Sequence, residues 1–191
     1  MKTLSILTGA LAGLIVAHAS VADEITLGVK DVATITDENG VGRMLFRLDG
    51  SIEASHVAIE RAILDVSLTG ESENRGFRLQ IHPVTREWNR ASVDWTAGWT
   101  RPGGDFEDDL YGRAQVHFGQ GATRGTFDLT TALKEVVEAG MEADGFILTL
   151  SPVEGHGIPA DALDRFADLE DATVTIRYKR IPPPPTVRGR G

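Results

Sequence analysis

The sequence predicts an all-β fold, a two-layer β-sandwich carrying one short helix. Three observations predict it. Apolar and polar residues alternate with a period of two in several short runs. Glycine-, proline- and Asx-containing stretches separate those runs. Only one segment has a helical period. Many short strands with few helices suit two stacked layers whose inner faces form the core.

The clearest strands are Phe77–Ile81, Ala114–Phe118 and Val174–Tyr178, where one face is apolar and the other carries Arg78, Gln80, Gln115, Thr175 and Arg177. His82 and His117 extend the polar faces of the first two. Further strands are expected over Glu24–Val29, Val32–Ile35, Arg43–Leu48, Ala62–Leu68, Gly125–Leu129 and Phe146–Ser151. The helix is expected over Ala132–Met141, capped by Asp128 or Thr130, with Leu133, Val136 and Val137 on one face and Gly140 near its end. A shorter helical turn is expected within Pro159–Arg165.

Residues 1–22 read as a secretory signal peptide. Lys2 supplies a positive start, Leu4–Val16 an apolar run, and Ala17–Ala19 and Ser20–Ala22 two small-x-small sites before Asp23 and Glu24. The competing reading is a membrane anchor, but the apolar run falls short of the ~20 residues a spanning helix needs. No later segment is long and apolar enough to cross a bilayer, so membrane insertion is not expected. The expected location is secreted, periplasmic or extracellular. The domain is then 23–180. The run Pro182–Pro185 cannot enter a sheet interior, so 181–191 is expected to be an extended, basic, proline-rich tail.

The chain has 191 residues, a formal charge of −9 and no cysteine. One domain fits that length. Disulfides, thiolate metal sites and cysteine nucleophiles are excluded. The acidity disfavours nucleic acid and anionic lipid as partners. No nucleophile elbow, P-loop or His-Glu-x-x-His motif occurs. His56, His82, His117 and His156 lack metal-ligand spacing. The 28 acidic residues make chance carboxylate pairs inevitable, which argues nothing for glycoside hydrolysis. The reading is therefore not an enzyme.

All three tryptophans fall in Glu87–Phe106. Here the sequence resembles the DNRLRE-domain family of disaggregatase-related modules. The resemblance runs through Trp88-Asn89 to Trp95, the Pro102–Phe106 loop, Gly42–Asp49, Val57–Leu68, Phe127–Thr130, Gly145–Leu148 and Ala172–Tyr178. It covers roughly 24–179 and rests on the order of motifs that are each weak alone. The contiguous Asp-Asn-Arg-Leu-Arg-Glu string is absent. The resemblance implies a jelly-roll-like β-sandwich, extracellular and non-catalytic, with polysaccharide binding in some relatives.

Trp88 and Trp95 are expected to pack as framework, whereas Trp99 lies in a loop beside Arg101. Trp99, Arg101 and Asp105 are the candidate ligand-binding residues, since a flat indole suits the apolar face of a sugar. Asp105, Glu107, Asp108 and Asp109 are the candidate Ca2+ ligands, with Asp94 nearby. Oxygen ligands on a loop after two glycines are what calcium needs, although the spacing is not that of an EF-hand and a solvated acidic loop competes with it. The function expected is a secreted binding module for a polysaccharide or other extracellular polymer. The alternative is a structural or adhesive protein of the envelope or matrix.

Overall fold

The computed structural model describes residues 22–50, 57–69, 77–114, 124–152, 158 and 162–182. Their strands are β1 (Asp23–Thr36), β2 (Gly42–Asp49), β3 (Val57–Ser67), β4 (Phe77–Pro83), β5 (Gly112–Ala114), β6 (Arg124–Asp128), β7 (Phe146–Pro152) and β8 (Thr173–Arg180). The helix α1 spans Thr130–Val137. Every pairing is antiparallel, in the closed order β1-β2-β7-β4-β5-β6-β3-β8. The ring divides into β1-β8-β3-β6 and β2-β7-β4-β5, the strand order of a jelly roll. The all-β fold with one short helix is as expected.

The two layers are not separate sheets, because β5 pairs with β6 at one seam and β1 belongs to both layers at the other. Asp23–Gly28 pairs with β8 and Gly28–Thr36 pairs with β2. The register slips between Lys30 and Ala33, where Asp31 takes φ 54°. One extra residue in a ladder bends the strand and raises its twist, and this turns the chain from one layer into the other. The two strands expected over Glu24–Val29 and Val32–Ile35 are thus one bent strand.

Inward residues meet as their alternation requires. Ala62, Leu64 and Val66 of β3 and Val174 and Ile176 of β8 face Phe46, Leu79, Ile81 and Leu148 in one cluster. Phe46 stacks on Phe146 at 5.6 Å between ring centroids. Ala132 and Leu133 anchor α1 to this core. The helix ends before the expected Met141. Neither Asp128 nor Thr130 occupies its N-cap, which is Leu129 with no side-chain cap bond. Instead Asp128 Oδ1 accepts from the Thr130 amide (2.9 Å), and Thr130 Oγ1 accepts from the Ala62 amide of β3 (3.0 Å). The helix start is therefore tied to the sheet. The shorter turn is a 3-10 helix at Asp164–Phe166. The first part of its expected span, most of the strand expected over Ala114–Phe118, His56, His117, His156 and most of the tail lie outside the described residues, as does the signal segment except Ala22.

A second cluster sits outside the ring. Leu45 of β2 and Ile147 of β7 pair in register and face away from the main core. With Ile35, Val84 and Trp88 they form a buried set, against which Val93, Trp95, Trp99 and Phe106 pack. The segment 84–106 thus covers the outer face of β2-β7-β4. That cover explains why Phe146–Leu150 is buried at consecutive positions: a strand covered on both faces needs apolar residues on both.

Candidate binding groove

The covering segment is an excursion from the end of β4. Val84 and Phe106 form an isolated antiparallel bridge at its base, and Thr85 N–H donates to the Asp105 carbonyl (2.9 Å). Between them the chain has turns but no strand or helix. Its shape comes from side chains bonding to backbone.

Trp88 is the first anchor, 6% exposed. Its amide donates to Asp144 Oδ2 (2.9 Å) and its indole Nε1 to the Asp144 carbonyl (2.6 Å). Arg47 lies over the Trp88 ring, 4.3 Å from its centroid, and donates from Nη2 to the Trp88 carbonyl (2.6 Å). The same guanidinium holds Asp144 bidentately, Nε–Oδ1 at 3.1 Å and Nη2–Oδ2 at 2.6 Å, and reaches Asp31 Oδ2 at 3.4 Å. Burial opposes ionisation of Asp144, but the hydrogen bonds from Arg47 and the Trp88 amide outweigh it and hold the carboxyl below its ordinary value. The Asp144 hydrogen bond likewise raises Arg47.

Asp105 is the second anchor. Its carboxylate accepts from the Thr100 amide (2.8 Å), the Thr100 hydroxyl (2.6 Å) and the Arg101 amide (3.3 Å). Burial again opposes its charge, and these bonds, with Arg86 nearby, lower its pKa all the same. Arg43 forms a third, its guanidinium between Trp95 (4.8 Å) and Phe106 (5.1 Å) while Nη1 donates to the Gly103 carbonyl. Gly103 has φ 88°, and a Cβ there would lie 2.7 Å from Arg43 Nη1 and 2.9 Å from the Trp95 ring. Only glycine suits both the backbone and the space.

Trp99 is half-buried, and its Nε1 donates to the Asp94 carbonyl (2.8 Å). Its indole forms part of the wall of a groove of about 700 Å3, with Asp31, Glu87, Asn89, Arg90 and Ser92 among the other lining residues. The predicted ligand set divides at this point. Arg101 and Asp105 line a separate depression of about 590 Å3 with Glu107, Asp108 and Asp109. Arg101 is spent within its loop: Nη1 pairs with Asp108 (3.0 Å), Nη2 donates to the Phe106 carbonyl (2.7 Å) and Nε to the Gly104 carbonyl (3.2 Å). The acidic residues of this loop do not form a shared donor set. Asp105 turns to Thr100 and Asp108 to Arg101, and among the described residues no three His, Asp or Glu side chains converge as a metal site.

Trp88 is buried as expected, and Trp95 is half-buried. His82 is a correction. The alternation of β4 put it on a solvated face, but it is 4% exposed, with Nδ1 3.0 Å from the Glu107 carbonyl and its ring against Phe106 and Tyr111. The excursion covers the face on which it stands. Burial lowers its pKa, more than the Glu107 carbonyl raises it. Asp31, Arg47, Glu87 and Asn89 are groove residues, and Asp144 an anchor, that the sequence pattern does not single out. Arg43 and Arg47, flanking Leu45 on the outer side of β2, were the available signal.

No model of a known protein family matches the chain, and no curated protein matches it. Among the described residues no helix is long and apolar enough to cross a membrane.

Proposed function

We propose that the chain is an exported, non-catalytic module that binds a polysaccharide in the groove beside Trp99. The observation that carries this reading is the composition of the groove. One half-buried aromatic side chain stands among short polar and planar ones, Glu87, Asn89, Arg90 and Ser92, in a space of about 700 Å3 open to solvent. An indole face offers contact to the apolar side of a pyranose, and amide and carboxylate groups suit its hydroxyls. Asn89 Oδ1 is engaged with the Ala91 amide (2.8 Å), which fixes the side chain and leaves its amide nitrogen to donate. The resemblance of the motif order to that of the DNRLRE-domain family and the signal-like start of the sequence support the same reading. Trp88, Arg101 and Asp105 act as framework in it, because their polar atoms are already used within the fold.

Affinity electrophoresis against gels containing neutral, acidic and amino polysaccharides tests the proposal. Retardation by at least one polymer is expected, lost in Trp99→Ala with an unchanged far-UV spectrum. Failure of every polymer to retard the protein, or retardation that survives Trp99→Ala, would overturn it.

A further inference from the structure

We infer that the polymer taken by this groove carries protonated amines, as a polysaccharide of amino sugars does; the inference rests on the glycan reading above. Its ground is the charge left over once each guanidinium is assigned. Arg47 is committed to Asp144 (2.6 Å), to Asp31 (3.4 Å) and to the Trp88 carbonyl. Arg90 is committed to Glu170 at 2.6 Å. Asp31 and Glu87 line the groove with Arg47 and Arg90, and both guanidiniums are also paired by carboxylates outside the lining, Asp144 and Glu170, so four carboxylates face two cations. Glu87 is exposed and has no ion-pair partner among the described residues.

The surplus is negative in a chain already at −9. A uronate or sulfate would meet that surplus with no unpaired cation among the described groove residues to offset it, and the surrounding field would slow its approach. A neutral sugar would leave the surplus unused. An ammonium group uses it twice, through the Glu87 carboxylate and through the Trp99 face, since a cation is drawn to an indole ring.

The test compares binding of a glucosamine hexamer and an N-acetylglucosamine hexamer to the full chain by calorimetry, in mildly acidic buffer that keeps the sugar amine protonated. The deacetylated hexamer is expected to bind at least about threefold tighter. That preference should fall toward parity at about 0.5 M salt. Glu87→Gln should bring the two hexamers to parity. Equal binding of the two hexamers, or tighter binding of a galacturonate hexamer, would overturn the charge inference and leave the groove reading standing. If neither these hexamers nor any polymer in the gels is bound, both fall together.

Discussion

Replacing Asp144 by alanine should loosen the whole outer layer. The side chain accepts two bonds from the Arg47 guanidinium and one from the Trp88 amide. A hydrogen bond to a charged group contributes about 1.5–3 kcal/mol where it is sequestered. Here the pair is partly solvated, with 23% and 31% of the Arg47 and Asp144 side chains exposed, so solvent screening brings the whole arrangement down to about 2–3 kcal/mol. Arg47 would be left over the Trp88 ring with Asp31, 3.4 Å away, as its one remaining carboxylate. For a domain of this size that loss corresponds to roughly 4–12 °C in Tm. Urea unfolding followed by tryptophan fluorescence and by far-UV circular dichroism measures it. The pH dependence supplies an independent check. The folded pKa of Asp144 is depressed, so its stabilisation is complete above the ordinary aspartate value of about 4 and is lost as pH falls from there through the folded value. Asp144→Asn should therefore flatten part of the acid limb below about pH 4. A loss under about 0.5 kcal/mol in Asp144→Ala, or an acid limb unchanged in Asp144→Asn, would refute the claim that this carboxylate holds the excursion to the sheet.

Three further outcomes are expected. His82 is held below its ordinary pKa by burial, so stability present above about pH 6.5 should decline as pH falls toward the folded value, and His82→Gln should remove that component of a urea-midpoint profile. Gly103→Ala should cost about 1–3 kcal/mol by urea denaturation, from the positive φ and the approach to Arg43 and Trp95 together. Calcium at millimolar concentration should leave Tm unchanged, because Asp105 and Asp108 are already bonded to Thr100 and Arg101; a rise above about 2 °C would show that the loop rearranges to take the ion.

The period-two alternation made most of the ring readable. Strands β4, β7 and β8 lie close to where their patterns put them, whereas β3 begins at Val57, ahead of the Ala62 start its pattern suggested. What alternation does not encode is a change of partner within one strand, so β1 read as two pieces with the bulge at Asp31 taken for a break. The outer cluster was hidden for a related reason. Leu45 and Ile147 sit at positions that a half-buried strand would give to water, and nothing local says that the distant segment 84–106 will cover them. Trp88 was legible as framework from its place beside a strand end. Its partner Asp144, 56 positions further on, was not, since the bond depends on the β4–β7 and β2–β7 ladders that bring the two together. The candidate ligand set failed to stay together on the same account. Trp99 and Arg101 are two residues apart, yet the turn between them faces them into different depressions.

The excursion has an optical consequence. Every tryptophan of the chain belongs to the outer cluster or packs against it, and none belongs to the cluster enclosed by the ring. Intrinsic fluorescence is thus a local reporter of the outer layer, while the amide circular dichroism is dominated by the strands beneath it. If the flap opens before the jelly roll melts, as layers of unequal stability do, emission will shift at lower denaturant than ellipticity does. The distance between the two midpoints then measures how firmly the flap is fastened.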